Sequence, residues 1–252
     1  MKGAIKRGLR RAGYDLHRFL PTSSPDAQVA QMIAKLGIDL VIDVGANTGQ
    51  YGTLLRELGY AGRIVSFEPL AAAHAVLSAK ATRDAAWTVA PRGAIGDTDG
   101  EIVINVAGNS ASSSVLDMLT THSDAAPDSA YVGKETVAIN RLDTVAPTYL
   151  AGARRVYVKV DTQGFEAAVV RGAPTLLASA AAVQLELSLV PLYMGQPLWD
   201  EMIALMATHG LALWTLWPGF ADTASGRLFQ IDAIFAHESS VSGRASQRDG
   251  GA

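Results

Sequence analysis

Five carboxylates in this chain sit where a ligand-binding sheet would need them. Asp43, Glu68, Asp161 and Glu186 each lie at or near the end of a short, β-branched apolar run, and Asp232 lies within a fifth. Such uninterrupted runs predict strands buried on both faces, as in a parallel sheet. Open α/β sheets take their ligands at the carboxyl ends of the strands. Around Asp43 the order is apolar run, acid, glycine-rich turn and helix start: Leu40-Val41-Ile42-Asp43-Val44-Gly45-Ala46-Asn47-Thr48-Gly49-Gln50-Tyr51. Gly45 and Gly49 let the backbone turn sharply and let a ligand approach it closely. The helix that follows offers free N–H groups to polar or anionic groups. Glu68, closing the run Arg63-Ile64-Val65-Ser66-Phe67, is placed to accept hydrogen bonds from a ribose diol.

Asp161, Glu186 and Asp232 are expected near neighbouring strand ends. Three hard oxygen donors with room for water and substrate would suit Mg²⁺. Without a cation the carboxylates would repel, raising the pKa of one so that it can serve as general base. The plainer assignments are that Asp161 touches cofactor or substrate, Glu186 pairs with Lys159 or Arg141, and Asp232 caps a turn. Glu166 is a second base candidate, or simply complements a helix dipole. His17, His74, His122, His209 and His237 show no metal spacing. His122 is expected in a mobile segment, either solvated or reaching the site as a base. Trp214, Trp217 and Phe220 either stack on a sugar face or pack sheet against helix. Tyr193 and Met194 either shape an acceptor pocket or anchor a loop.

The 252 residues suit one α/β domain with ample core. Hydrophobic content of 49% with 18% charged residues describes a soluble globular protein, read as cytoplasmic. A net charge of −3 argues against a general nucleic-acid binder. With no cysteine, disulfides, thiolate zinc sites and cysteine nucleophiles are excluded. No apolar run reaches the length of a membrane span. The N-terminus, Met1 to Arg11, is basic without an apolar stretch after it, so no secretory signal is expected. Two readings of it stand open. It is an exposed helix resting Ile5, Leu9 and Tyr14 on the domain, or a patch meeting anionic lipid or a lipid-linked substrate.

These residues need a frame. Residues 1–37 read as a helical extension, broken at Pro21-Thr22-Ser23-Ser24-Pro25, with a second helix through Val29, Met32, Ile33 and Leu36. Residues 38–238 read as one domain, and 239–252 as a polar, disordered tail. Strands near 39–43, 63–67 and 87–90 alternate with helices near 49–58 and 71–81, which predicts a parallel sheet with right-handed crossovers. The rhythm then breaks. Residues 93–106 read as a hairpin turning at Asp97-Thr98-Asp99-Gly100, the stretch 120–133 as a mobile loop, and 136–139 as a short strand. Alternation resumes with strands at 156–161 and 182–187, a helix at 198–208, and two final strands, 211–216 and 228–235, joined without an obvious helix.

The glycine loop departs from the dinucleotide pattern Gly-x-Gly-x-x-Gly, because Asn47 and Gln50 stand where its second and third glycines would fall. This weighs against an NAD-dependent oxidoreductase. Asp-x-Gly-x-Asn-x-Gly instead resembles the first motif of class I S-adenosylmethionine-dependent methyltransferases. Taken with Phe67-Glu68-Pro69, the serines 112–114, Arg141-Leu142-Asp143, Lys159-Val160-Asp161-Thr162-Gln163-Gly164-Phe165-Glu166, Leu185-Glu186-Leu187-Ser188, Pro191-Leu192-Tyr193 and Gln230-Ile231-Asp232, the chain resembles the FkbM methyltransferases over residues 38–236. The resemblance implies a Rossmann-like, seven-stranded, mostly parallel sheet with its last strand antiparallel and helices on both faces. It implies S-adenosylmethionine as cofactor and methyl transfer to a hydroxyl of a sugar, glycolipid or related natural product, with Mg²⁺ as a second cofactor in some sugar O-methyltransferases of related design. By position, Gly45, Asn47, Gly49 and Tyr51 would line the methionine end, Glu68 would hold the ribose, Ala94 and Ile95 would flank the adenine, and Asp43 would join the cofactor-binding set. Asp161 would reach both cofactor and acceptor. The expected partners are a small-molecule or glycolipid acceptor and, as a further arrangement, a second copy of the chain in a homodimer. A different acceptor (amide, amine or fatty-acyl hydroxyl) and a non-catalytic cofactor-binding protein are the alternatives.

Overall fold

The computed structural model describes residues 2–15 and 17–237; the expected tail lies outside them. Among the described residues ten strands form two sheets. They are β1 (Leu40–Val44), β2 (Arg63–Phe67), β3 (Trp87–Val89), β4 (Ala94–Gly96), β5 (Gly100–Ala107), β6 (Tyr131–Arg141), β7 (Val156–Val160), β8 (Ala182–Ser188), β9 (Leu211–Pro218) and β10 (Gln230–His237). The main sheet has the order β3-β2-β1-β7-β8-β10-β9. Its strands pair in parallel from β3 to β8, and β10 runs antiparallel to both β8 and β9. This is the expected seven-stranded arrangement with its final strand reversed.

Every residue of β1 and β7 is buried, the paired Asp43 and Lys159 included, as expected of strands covered on both faces. Side chains alternate across the sheet. Leu40, Ile42 and Val44 face a core closed by the helices Glu166–Arg171, Pro174–Ser179 and Trp199–Thr208. Val41, Ile64 and Tyr157 face a second core closed by Val29, Met32 and Ile33 of the helix Pro25–Leu36, by Leu55 and by Leu77. Asp43, two residues from Val41, therefore points to this second side. The helix Pro25–Leu36 starts where Ser24 accepts the Ala27 N–H and stops at Gly37, which holds the left-handed φ of 63° that a Cβ disfavours. Its Gln28 accepts the indole N–H of Trp217 at 2.7 Å, fixing the helix against β9.

The small sheet has the order β4-β6-β5, which overturns the expected hairpin. β4 pairs in parallel with β6 and β5 pairs antiparallel with it, so the two never pair with each other. Asp99 does not complete a hairpin turn. Its carboxylate accepts the Arg141 N–H and the Thr144 hydroxyl, tying this corner to the end of β6. β6 runs eleven residues rather than the expected four. The stretch expected as a mobile loop carries the helix Thr120–Ala125 and a 3₁₀ turn, Pro127–Ser129.

Candidate active site

The turn after β1 is built by residues that permit it. Gly45 has φ 77°, and a Cβ there would overlap the Asp161 carbonyl oxygen, so the first glycine lets β1 and β7 close at their carboxyl ends. Asn47 follows at φ 47°, a left-handed value asparagine tolerates by bonding locally. Its Oδ1 accepts the Thr48 N–H at 2.7 Å and the Ser110 hydroxyl at 3.1 Å. Gly49, at φ 83°, serves packing. A Cβ would stand 2.9 Å from Leu77 Cδ1 and 3.1 Å from the Trp87 ring, on the side away from the cleft.

Glu68 lies 3% exposed behind this loop. Oε2 accepts the Asn47 N–H at 2.7 Å and Oε1 the Leu70 N–H at 2.8 Å. Burial pushes its carboxyl up to about 7. Each oxygen keeps a lone pair for a further donor. Glu68 borders a cleft of about 550 Å³ that runs over the carboxyl ends of the main sheet. Leu70, Ala94, Ile95 and Ile104 form its apolar end, while Tyr51, Lys159, Asp161, Gln184 and Asp232 form its polar end. A flat heteroaromatic ring, a diol and a charged tail would find matching walls in that order. The residues thus fit S-adenosylmethionine.

Asp43 is not on this surface. It is fully buried beneath it, accepting the Ser66 hydroxyl at 3.2 Å and facing Lys159 Nζ at 3.6 Å. Lys159 also lies 3.3 Å from Asp161 Oδ2 and under the Tyr51 ring. Burial opposes its charge, but Asp161 and Asp43 outweigh that and hold the ammonium above its ordinary pKa. Tyr51 donates to Gln184 Oε1 at 3.0 Å.

The three carboxylates expected to share a metal are engaged otherwise. Asp161 turns Oδ2 to Lys159 and Oδ1 to the Gln163 amide at 2.9 Å. Glu186 Oε2 accepts amide N–H groups from Gln163 at 2.7 Å and Gln230 at 2.6 Å, in place of the expected Lys159 or Arg141. Asp232 Oδ1 accepts the Gln184 amide at 3.0 Å rather than capping a turn. Among the described residues no group of three or more His, Cys, Asp or Glu side chains could hold a metal ion. The arrangement does not fit Mg²⁺. Burial, reinforced by Asp161, Glu166 and Asp232, pushes the Glu186 carboxyl well above its ordinary value.

Glu166 does not face the cleft. One oxygen takes the Thr162 N–H, the Thr162 hydroxyl and the Gly164 N–H, and burial pushes the group up to about 7. It holds the loop after β7 from beneath. His122 is likewise corrected. It is 3% exposed in a helix, its ring 5.2 Å from Tyr193 and 5.3 Å from Phe220, and burial lowers its pKa. Tyr193 is buried and its hydroxyl bonds Gln163 Oε1 at 2.9 Å, whereas Met194 is 60% exposed. Trp217 borders the cleft, while Phe220 packs on Phe229.

The residue the sequence reading passed over is Gln163. Its backbone is left-handed at φ 54°, its carbonyl accepts the Ser114 hydroxyl at 2.6 Å, and its amide joins Asp161 to Glu186. The only local signal was its place before Gly164 at a strand end.

The sequence description of the methyltransferase FkbM domain matches residues 43–211, well over half the chain. The chain belongs to the FkbM methyltransferase family. As an FkbM methyltransferase it is an S-adenosylmethionine-dependent enzyme. A search of curated proteins gives no significant match. Among solved structures, the FkbM chain is similar to precorrin-6y C5,15-methyltransferase from Geobacter metallireducens (11% identity, 84% of this chain and 88% of that one, TM-score 0.42). It is also similar to 1,6-didemethyltoxoflavin-N1-methyltransferase from Burkholderia thailandensis (12%, 84% and 78%, TM-score 0.44). A third is magnesium protoporphyrin IX methyltransferase from Synechocystis (13%, 84% and 77%, TM-score 0.42).

Proposed function

We propose that this enzyme methylates a hydroxyl group on a sugar, glycolipid or related natural product. One observation carries the reading. Of the catalytic candidates Asp161, Glu186 and Glu166, Asp161 alone borders the cleft, next to the Gly45 turn. Bound S-adenosylmethionine supplies an electrophilic methyl group on a sulfonium. The protein's task is then to bring an acceptor oxygen into line and take its proton.

Asp161 does both in this account. Its Oδ2 is pinned by Lys159 and its Oδ1 by Gln163, so the carboxylate cannot swing, yet a third of the side chain stays exposed to receive a hydroxyl. The acceptor O–H donates to Asp161, which orients a lone pair towards the methyl group and accepts the proton as the C–O bond forms and the methyl–sulfur bond breaks, with S-adenosylhomocysteine as the leaving group. Gln163 extends the wall with its amide, which suits a neighbouring hydroxyl, and Glu186 holds that amide from behind. Gly45, Asn47 and Tyr51 serve the methionine end, Glu68 the ribose, and Ala94 and Ile95 the adenine.

The test is a screen with methyl-labelled S-adenosylmethionine against glycosides and glycolipids, with amines and amides alongside. Label in an ether linkage, lost at least ~100-fold in Asp161→Asn with cofactor affinity kept, is expected. Label only in amines or amides, or an Asp161→Asn enzyme near wild-type rate, would contradict it.

A further inference from the structure

Residues 1–20 carry six basic side chains and one acidic one, in a chain whose net charge is −3. The helix Lys2–Arg11 has no acid in its first turn and Arg10 and Arg11 in its last. Helical spacing sets Lys6, Arg7, Arg10 and Arg11 along one side and Leu9 on the other. Gly13, at φ 83°, ends it. Three large apolar side chains that follow stay exposed. Tyr14 is 69% exposed, Phe19 64% and Leu20 43%, so Tyr14 does not rest on the domain. Among the described residues, the side-chain bonds of this stretch stay within it. Lys6, Arg10 and His17 gather on Asp15, and among the described residues Arg7, Arg11 and Arg18 have no acidic partner.

We propose that residues 6–15 and 17–20 form a docking surface for an anionic lipid surface. The basic side supplies charge complementary to lipid phosphates, and Tyr14, Phe19 and Leu20 supply the amphipathic aromatic and apolar groups that seat at the headgroup level. Pro25 and Asp26, five and six residues beyond Leu20, border the cofactor cleft. Docking of the segment therefore brings the cleft mouth to the membrane plane and offers it acceptors anchored there. That last step rests on the hydroxyl-methylation reading above; lipid binding itself does not.

Co-sedimentation of the full chain with phosphatidylglycerol-containing vesicles and with pure phosphatidylcholine vesicles tests it. Binding to the anionic vesicles alone is expected, weakened by raising salt from about 0.1 to 0.5 M. The double variant Arg7→Glu, Arg11→Glu should lower partitioning at least ~10-fold, and Phe19→Ala should lower it as well. No binding to anionic vesicles, unchanged binding in the charge-reversed variant, or displacement by single-stranded RNA at equal charge would overturn the proposal, the last in favour of a nucleic acid. Each variant is also titrated with S-adenosylhomocysteine. Loss of that binding in the wild type counts against the cleft assignment and leaves vesicle binding to be judged on its own.

Discussion

At Gly45 one hydrogen atom in place of a methyl group decides whether the site closes. The backbone there is left-handed and the space a Cβ would take is filled by the Asp161 carbonyl. Gly45→Ala is expected to lose at least ~2 kcal/mol of stability in a denaturant melt and to bind S-adenosylhomocysteine measurably more weakly. A variant with wild-type stability and affinity would show that β1 and β7 tolerate separation. Gln163 makes a different claim. Its amide donates to both Asp161 and Glu186, and Tyr193 fixes which way round that amide stands. Gln163→Leu should keep cofactor affinity within about threefold while lowering methyl transfer at least ~10-fold with whichever acceptor the screen returns. A parallel loss of cofactor binding would move Gln163 into the cofactor wall instead.

Among the elements, the glycine-rich turn is supported as much by packing as by ligand geometry. Gly49 and Gly52 lie against the Trp87 indole, whose N–H reaches Ser66 Oγ at 3.0 Å. Ser66 in turn donates to Asp43. Gly52→Ala should therefore cost roughly 1–3 kcal/mol by overpacking, read by chemical denaturation; a neutral outcome would mean the indole moves freely. The legible elements were those whose signal is local. β1, β2, β7 and β8 are apolar runs ending near acids, and each was readable in place. The hairpin was misread because Asp97-Thr98-Asp99-Gly100 has turn chemistry, while the true partner of both flanking strands, β6, lies about thirty residues on. Glu186 and Asp232 were placed on adjacent strands correctly, as their register confirms. Their partners were not legible, since Gln163, Gln184 and Gln230 are amides that carry no charge pattern in the sequence.

Across the whole molecule, buried carboxyls set a pH dependence, Glu68 and Glu166 among them. Glu68 and Glu166 both rise from 4.5 to about 7 through burial. A folded pKa above the unfolded one means the native state binds more protons than the unfolded state between those values. Stability from these groups is fully present below about pH 4.5 and is lost as pH rises through about 7, with a ceiling of roughly 3 kcal/mol per group. Glu166→Gln should flatten that decline in melts of the ligand-free protein across pH 5 to 8; an equally steep decline would place the titration elsewhere. The central claim is that the cleft beside Gly45 and Glu68 holds the methyl donor, and calorimetric titration with S-adenosylhomocysteine tests it most directly. Saturable one-to-one binding is expected, unaffected by Mg²⁺ and weakened at least ~10-fold in Glu68→Ala. Absence of binding, or an unchanged affinity in Glu68→Ala, would contradict it.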